Sequence, residues 1–336
     1  MSHLSHGQQQ QSSPPRQWRL YRTGFEIIDD TVLLEEEQLR EFKTGQFYPV
    51  NIGEIFSSKY QVVGKLGYGT TSTVWLAKNL QDGNNRYVAL KVYTRDHSRA
   101  KEFQVLEAIG KTNPAHPDHR HVRTALDLFQ LHRSGGDHSC LDQRPMWEMW
   151  ESWKDLLRRN ESGRFTEDFL KAGLRHLFMA LDYLHSECKL VHTGKCITRR
   201  RIAYTTSTIA WFGGPVLSDF GAAVRGDVKR NQDAQPAVYR APEVMLQAEW
   251  SYPVDIWNVG AMIWDIFQGR HLFYGSDPDD GDYSTRAHLA EVIALLGPPP
   301  LDLLDRGQRS REFFTEDGKS CRIAQCLRQR ANFRGR

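Results

Sequence analysis

Apolar residues along this chain are patterned in two ways, and the earlier pattern indicates strands. Three segments rich in β-branched and aromatic residues, 60–64, 73–77 and 87–93, predict the strands of an antiparallel meander. The turn signal Asp82-Gly83-Asn84-Asn85 between the last two segments is typical of a hairpin. The first part of the chain is therefore predicted to be a small β-rich lobe.

The later pattern indicates helices. A short helix is predicted over residues 99–109, and two more over 255–269 and 284–297. The last must end there because Pro298 to Pro300 cannot continue a helix. A longer helix follows Thr166, where leucines recur at helical spacing: Leu170, Leu174, Leu177, Leu181 and Leu184. The sequence thus predicts an α+β chain with a mainly helical second lobe.

Length and composition narrow the class of protein. With 336 residues the chain has room for about two domains or lobes. No apolar run approaches the ~18 residues of a membrane span, so a soluble protein without a membrane partner is expected. The first 25 residues lack acids, and residues 1–24 are predicted to be a disordered tail rather than a targeting signal.

The cysteines bear on the cellular compartment. Five are present without a Cys-x-x-Cys pair: Cys140, Cys188, Cys196, Cys321 and Cys326. This odd set argues against a disulfide framework or a zinc ribbon. We therefore expect a reduced, intracellular protein of the cytoplasm, the nucleus or both.

A glycine-rich segment is the first candidate for chemistry. Leu66-Gly67-Tyr68-Gly69 is followed by Ser72, a spacing that a dinucleotide-binding turn nearly shares. A dinucleotide turn opens a helix, whereas residues 73–77 are predicted to form a strand. The segment is therefore predicted to be a flap between two strands, able to place backbone N–H groups on phosphates.

Lys91 lies in the third predicted strand, soon after this flap. An isolated strand lysine is as often simply solvated, but its position after a glycine-rich hairpin favours a lysine that holds phosphates. Such a lysine needs a carboxylate to orient it. Glu102 on the next predicted helix is the best candidate, and Glu107 is the alternative.

Two tripeptides further along place these features in a known family. Asp-Phe-Gly occupies residues 219–221 and Ala-Pro-Glu occupies 241–243, in the order expected after Gly67 and Lys91. The chain at this point resembles a eukaryotic-type protein kinase over residues 25–317. This resemblance implies a two-lobed fold, with a lead-in and N-lobe over 25–145 and a C-lobe over 146–317.

A narrower resemblance follows from other motifs. Val-Tyr-Arg at 238–240 resembles the CMGC group of Ser/Thr kinases, and Phe-Tyr-Pro-Val at 47–50 with Ile-Gly-Glu at 52–54 resembles SR-protein kinases. The chain is similar to the SR-protein-kinase-like proteins of fungi. The resemblance implies an ATP-dependent transferase that phosphorylates serine in Arg/Ser-rich proteins.

Residue roles are implied by the same resemblance. Lys91 would hold the ATP phosphates, Glu102 would orient Lys91, and Asp219 would bind Mg²⁺. Asp255 would anchor the catalytic loop, and the hinge would lie near residues 140–146. The residues that would cover ATP lie in the flap and the strand after it: Leu66, Gly67, Tyr68, Gly69 and Val74.

The catalytic loop departs from that pattern. Kinases have His-x-Asp and, five residues later, Asn, where the Asp accepts the hydroxyl proton and the Asn holds a second Mg²⁺. Here His192-Thr193 lead into Gly194 at the base position, and Arg199 occupies the Asn position. The next carboxylate is Asp219. In between come cations that cannot act as a base at neutral pH: Lys195, Arg199, Arg200 and Arg201.

Three interpretations remain open. The chain is a pseudokinase that keeps nucleotide binding and partner binding without phosphoryl transfer, or an active enzyme that recruits a base from elsewhere. The third is a splicing product. Gly194-Lys195-Cys196 can be encoded GGTAAGTGY, which contains the typical intron start GTAAGT. The G before that start would then be the first base of an Asp codon that the intron interrupts. We favour the third hypothesis, and the anomalous segment is residues 195–212.

The net charge of +3 is too small to demand a nucleic-acid or membrane partner, and direct nucleic-acid binding is not expected. Residues 195–218, the basic tail 318–336 and the first 25 residues contribute +4, +6 and +3, which leaves −10 for the kinase-like part. A basic partner is therefore expected.

Four acidic residues lie close together before the helix predicted over 284–297: Asp277, Asp279, Asp280 and Asp282. This cluster is either a solvated loop or a docking surface for Arg/Ser-rich substrates.

Two further features complete the sequence predictions. His116, His119 and His121 lie in a Pro-bearing stretch, and an exposed loop is favoured over a metal site because ordered carboxylate or Cys partners are not evident. In kinases a buried Arg pairs with the Glu of Ala-Pro-Glu. No such Arg is identified for Glu243, so the helical lobe is expected to be incomplete.

Overall fold

The computed structural model describes residues 28–29, 31–39, 42, 45–82, 86–95, 100–145, 151–152, 165–194, 198–200, 203–205, 208–210 and 216–320. The predicted tail 1–24, the turn residues 83–85, much of segment 195–212 and most of the basic tail 318–336 lie outside these ranges. The chain divides into two compact units. One comprises residues 1–99 and 125–145, and the other residues 100–124 and 146–336.

The first unit contains a six-stranded antiparallel sheet with strand order β1-β2-β3-β4-β6-β5. Its strands are β1 (Ile55–Phe56), β2 (Tyr60–Gly69), β3 (Ser72–Asn79), β4 (Tyr87–Tyr93), β5 (Asp127–Leu131) and β6 (His138–Gln143). The predicted meander is its centre, and β5 and β6 extend it beyond the sequence prediction. A short 3₁₀ turn, Glu35–Gln38, precedes the sheet.

The core of this unit lies on one face of the sheet. Apolar residues from all six strands pack together there: Phe56, Tyr60, Val62, Trp75, Ala77, Val88, Leu90, Val92, Leu131 and Cys140. Trp75 and Leu90 are directly paired across β3 and β4, so their side chains share that face. Their neighbours Val74 and Lys91 therefore lie on the opposite face.

The second unit is mainly helical. Its helices are α1 (Ala100–Lys111), α2 (Glu167–Asp182), α3 (Pro242–Met245), α4 (Pro253–Gln268), α5 (Thr285–Leu296), α6 (Leu301–Arg306) and α7 (Ser310–Phe313). A π-helical turn, Tyr183–Glu187, continues α2, and 3₁₀ turns occur at Pro117–His121, Phe220–Ala222 and Ala237–Tyr239. The short strands are β7 (Glu151–Ser152), β8 (Leu190–Val191), β9 (Thr198–Arg200), β10 (Ala203–Thr205), β11 (Thr208–Ala210), β12 (Val216–Leu217) and β13 (Val224–Arg225).

Helix ends follow the capping signals in the sequence. The Thr166 hydroxyl accepts the N–H of Phe169 at the start of α2, and the Ser284 hydroxyl accepts the N–H of Ala287 at the start of α5. Gly269 ends α4 with φ +70°, a conformation that glycine adopts without strain. The predicted helices are thus confirmed within two residues at each end.

Among the described residues, two apolar clusters pack within the helical unit. The larger one joins α3, α5, α6 and α7: Met245, Leu246, Phe273, Ala287, Leu289, Ala290, Val292, Leu304, Phe313 and Phe314. The other packs Val191 against residues from the Ala-Pro-Glu motif to the start of α4: Ala241, Val244, Trp250 and Val254. Across the described ranges, no helix has the length and apolar character needed to cross a membrane.

Candidate functional site

The glycine-rich segment forms the hairpin between β2 and β3. Gly69 pairs with Ser72 and Tyr68 with Thr73, so the segment is a flap between strands and does not open a helix. A bulge between Lys65 and Gly67 interrupts the register. No heavy atom lies within 4 Å of where a Cβ would stand on Gly67, so this backbone has open space above it. A phosphate has room to approach the flap backbone closely.

Lys91 shares one face of the sheet with two apolar residues. It is paired with Val74 on β3 and with Leu141 on β6, and directly paired residues point to the same side. Val74 and Leu141 thus supply an apolar surface beside a cation. This combination suits a nucleotide, which presents a flat base and a charged phosphate group.

The predicted hinge region contains a buried acid. Asp142 on β6 is only 2% exposed, and its carboxylate accepts a hydrogen bond from the Tyr60 hydroxyl at 2.7 Å. Burial raises the pKa of Asp142 to about 6. Asp142 and Leu141 point to opposite faces of the sheet, so the Asp142 carboxylate lies on the face that carries Tyr60. The hinge itself stays a prediction, since Met146 lies outside the described residues.

The structure distinguishes the two candidate carboxylates on α1. Glu102 is 3% exposed, and α1 contacts the turn Phe220–Ala222 that follows Asp219. Glu107 is exposed and forms an ion pair with Lys111 at 2.7 Å, one helical turn away. Glu102 is therefore the buried one of the two acids, and its role beside Lys91 stays a prediction.

Asp255 holds the catalytic-loop backbone from the start of α4. Its carboxylate accepts the backbone N–H of His192 at 2.7 Å and that of Thr193 at 2.9 Å. The His185 ring lies 2.9 Å from the same carboxylate. Asp255 is fully buried, so these hydrogen bonds satisfy a charge that would otherwise be costly to bury.

Other contacts fix the residues on either side of Thr193. The Thr193 hydroxyl donates to the Ala222 carbonyl at 2.6 Å, and the His192 ring lies 3.2 Å from the Ser218 carbonyl. The Asn258 amide donates to the Gly194 carbonyl at 3.0 Å. The backbone that should present a catalytic base is therefore held in place, and at its end stands a residue without a side chain.

Nothing in the backbone at Gly194 requires glycine. Its φ is outside the left-handed region, and a Cβ built there would lie 3.0 Å from Cε1 and 3.2 Å from Nδ1 of His192. A side chain at this position would need a shift of a few tenths of an ångström. A Cβ at this position therefore requires the buried His192 ring to move by that amount.

Asp219 is the candidate magnesium ligand. Its backbone is left-handed, with φ 72° and ψ 68°, and its side chain is exposed, whereas the next residue, Phe220, is buried against His192. Strained backbone of this kind is concentrated at functional sites. Mg²⁺ is usually held by one or two carboxylates together with substrate phosphates, so this single exposed carboxylate fits the ion.

Comparison with known proteins decides the family. A sequence model of the protein kinase domain matches residues 60–328. The chain belongs to the protein kinase family. It is 39% identical to a serine/threonine protein kinase of Aspergillus fumigatus, over 96% of this chain and 86% of that protein.

More distant kinases share the SR-protein-kinase character. The chain is 26% identical to the serine/threonine-protein kinase SRPK of Physarum polycephalum, over 85% of this chain and 78% of that protein. It is 32% identical to SRSF protein kinase 3 of Mus musculus, over 47% of this chain and 28% of that protein. The resemblance to serine/threonine kinases of the SR-protein-kinase kind is therefore confirmed, as is the α+β fold of the kinase domain.

The acidic cluster of this kinase domain is partly neutralised from within. Asp277 is buried and forms two hydrogen bonds with the guanidinium of Arg286, which also forms an ion pair with Asp279. Arg286 lowers the pKa of Asp277 well below its usual range. Asp280 and Asp282 are exposed. Asp280 and Asp282 are therefore the two carboxylates of the cluster that Arg286 does not neutralise.

Glu243 of the Ala-Pro-Glu motif is partly buried, and burial raises its pKa. A backbone hydrogen bond of Glu243 and, more weakly, the positive charge of Arg306 at the end of α6 act against this shift. The Arg306 guanidinium itself forms an ion pair with Asp302 at 3.5 Å. Arg306 is therefore a distant charge for Glu243, and the arginine partner that the sequence analysis could not identify stays unassigned among the described residues.

The three histidines of the Pro-bearing stretch are not equivalent. His121 is buried, against the exposed loop that was predicted, because the turn Pro117–His121 places its ring 4.8 Å from that of His176. Ligand atoms of His116, Asp118 and Asp182 lie within 4.8 Å of one another. The His116 Nδ1 already accepts the Asp118 N–H, however, so the neutral ring has no further lone pair for a metal.

Proposed function

We propose that this chain is an SR-protein-kinase-like domain that binds Mg²⁺-ATP and a basic, Arg/Ser-rich protein segment, and that with Gly194 it does not transfer the phosphoryl group efficiently. The observation that carries the proposal is Gly194 at the end of the loop held by Asp255. The loop is built and anchored, but the residue at its end has no acid or base.

The chemistry explains why that residue matters. In phosphoryl transfer, a substrate hydroxyl oxygen bonds to the γ-phosphorus while the bond from phosphorus to the leaving ADP oxygen breaks. ADP takes that electron pair, and the hydroxyl proton must pass to a base. General-base catalysis typically contributes about 10²- to 10⁴-fold to a rate. A chain with Gly194 loses that factor while its binding residues remain.

The nucleotide half of the proposal rests on the face of the sheet that carries Lys91. Lys91 would hold phosphates, and Val74, Gly67 and Gly69 would cover the nucleotide. ATP bound there would bring Mg²⁺, and the ion would be held by Asp219 and supply positive charge to the phosphates. Glu102 would orient Lys91.

The substrate half rests on charge. The kinase-like part of the chain has a net charge of −10, which attracts an Arg-rich segment. Asp280 and Asp282 are exposed and present carboxylates next to the start of α5. Arginine forms bidentate hydrogen bonds with carboxylates, so an Arg-Ser repeat suits such a surface better than a Lys-rich segment of equal charge.

Calorimetry with an Arg-Ser-repeat peptide tests the substrate half. The doubly substituted chain Asp280→Lys with Asp282→Lys should bind the peptide about tenfold more weakly than the unmodified chain, roughly 1.4 kcal/mol at the 1.36 kcal/mol per decade that applies near 25 °C. Asp302→Lys with Asp305→Lys on α6 is the matched control, with the same change of charge. Equal weakening in both variants would mean that net charge, and not this surface, attracts the peptide.

A second candidate is an active kinase whose spliced transcript encodes Asp at position 194. The observation in its favour is the loop geometry, because residue 194 lies outside the left-handed region and accommodates a side chain after a small shift. Sequencing transcripts across the codons for residues 193–218 separates the two candidates. Transcripts that mostly retain the Gly194 codon would exclude the second.

A further inference from the structure

The acidic turn, Glu35–Gln38, is attached to the base of the glycine-rich flap. The carboxylates of Glu35 and Glu36 both form ion pairs with the ammonium group of Lys65 on β2. The Lys65 side chain is 20% exposed and that of Glu36 is 16% exposed. The Glu35 side chain is 49% exposed. Of the two ion pairs, the one with Glu36 is therefore shielded from water and stronger than a pair in open water, and it joins two segments of the same compact unit.

The acidic turn presents only part of its charge to Lys65. The carboxylate of Glu37 accepts the backbone N–H of Leu34, and the Gln38 amide donates to the Leu33 carbonyl. These bonds close the turn on itself. Glu35 and Glu36 do not take part in these internal hydrogen bonds and instead contact Lys65 of the sheet.

Lys65 lies directly before the bulge that begins the flap. The bulge shifts the register by one residue, so that Lys65 and Tyr68 are paired with Trp75 and Thr73 and share one face. The Lys65 ammonium lies 5.4 Å from the Trp75 ring centroid and 5.7 Å from that of Tyr68. One cation therefore connects the acidic turn to the body of β3 and to the tip of the flap.

The acidic turn is on the side of the sheet opposite to Val74 and Lys91, whereas Tyr68 shares the face of Lys65. Lys65 is paired with Trp75, whereas Lys91 is paired with Val74, and neighbouring residues on a strand point to opposite faces. Glu35 and Glu36, which pair with Lys65, thus do not lie on the face that carries Lys91. A contact on the rear face can restrain the flap without competing with a nucleotide.

We propose that the acidic turn is a brace that holds the base of the flap from behind through Lys65, so that its release loosens the flap and weakens nucleotide binding. The effect on nucleotide affinity rests on the proposed function. The effect on flap motion does not, because it follows from contacts within the β-rich unit alone.

Hydrogen exchange of the full-length chain without nucleotide tests the brace. In the double variant Glu35→Gln with Glu36→Gln, amides of residues 66–73 should exchange about three- to tenfold faster, the range expected for the loss of one or two partly shielded ion pairs. Lys65→Met, which keeps the aliphatic stem, should have the same effect. Glu107→Gln is the control, since it removes an ion pair of equal type on α1.

The outcomes are distinguishable. Unchanged exchange at 66–73 in both brace variants would overturn the proposal, and so would an equal acceleration at Leu90 and Val92 in the centre of the sheet, which would indicate general destabilisation. Binding of a non-hydrolysable ATP analogue should weaken by about the same three- to tenfold factor in the brace variants. If even the unmodified chain binds no nucleotide, the proposed function fails, and the exchange data still decide on the brace.

Discussion

Substitution of Asp255 by Ala removes the support of the catalytic loop. The Asp255 carboxylate is fully buried and lies within hydrogen-bond distance of three groups: the His192 N–H, the Thr193 N–H and the His185 ring. Alanine leaves the two backbone N–H groups buried without an acceptor. It also leaves the His185 ring without its charged partner.

The size of the effect follows from those groups. A buried donor left unsatisfied costs about 1–3 kcal/mol, so two of them give about 2–6 kcal/mol of lost stability for the helical unit. Asp255→Asn keeps one acceptor oxygen but places an amide N–H₂ against a second donor, so about half of that loss is expected. Asp302→Ala is the control, because its ion pair with Arg306 is exposed and should change stability by less than about 0.5 kcal/mol.

Urea unfolding followed by tryptophan fluorescence measures these differences, and Trp257 on α4 and Trp250 report on the helical unit. Hydrogen exchange at the His192 and Thr193 amides adds a local readout. If the chain with Asp255→Ala is too unstable to purify, Asp255→Asn provides the comparison. An unfolding free energy within about 1 kcal/mol of the Asp302→Ala control, or unchanged protection at the two amides, would refute the argument.

Three further predictions follow from buried charges. The pKa of Asp142 is about 6 in the folded state and 3.8 in the unfolded chain, so the folded protein loses stability as pH rises from 3.8 to 6. Asp142→Asn removes this ionisation and should stabilise the β-rich unit by roughly 2–3 kcal/mol above pH 6, with no effect below pH 4. Urea unfolding at several pH values measures the difference. His288 should titrate with a midpoint near pH 4 in NMR spectra, since burial lowers its pKa, and a midpoint near 6.5 would contradict the buried placement. Arg286→Ala should raise the midpoint for titration of Asp277, measured by NMR of the carboxyl carbon, and no change would mean that the pair does not form.

The flap was predictable from sequence because a local contrast decides it. A β-branched and aromatic segment directly after the glycines excludes a helix, whatever the rest of the chain does. The helix ends were predictable for the same reason, since the capping residues Thr166, Ser284 and Gly269 act on their own neighbours. The motif order then identified the kinase fold.

Strands β5 and β6 were missed because their burial depends on distant partners. Asp142 looks like a solvated residue in sequence, yet it is buried beneath the hydroxyl of Tyr60, which lies 82 positions earlier. Asn258 was missed as well. An asparagine within a helix gives no local sign that its amide will reach a carbonyl 64 residues away, at Gly194.

Glu102 and Glu107 combine a predictable feature with an unpredictable one. Local spacing predicted α1, but it left both acids on that helix open as candidates. Burial of Glu102 depends on which face of α1 meets the turn Phe220–Ala222, a contact between segments more than 100 positions apart. Tertiary packing, and not local propensity, makes that distinction.

The effect of Gly194 on phosphoryl transfer can be measured directly. Purified chain with Mg²⁺ and γ-labelled ATP is incubated with an Arg-Ser-repeat peptide, beside Lys91→Ala as the control for nucleotide-dependent transfer. We expect that the unmodified chain gains thermal stability from Mg²⁺-ATP, that Lys91→Ala does not, and that neither labels the peptide above background. Labelling of the peptide by the Gly194 chain that disappears in Lys91→Ala would show that this chain is an active kinase and would contradict the proposed function.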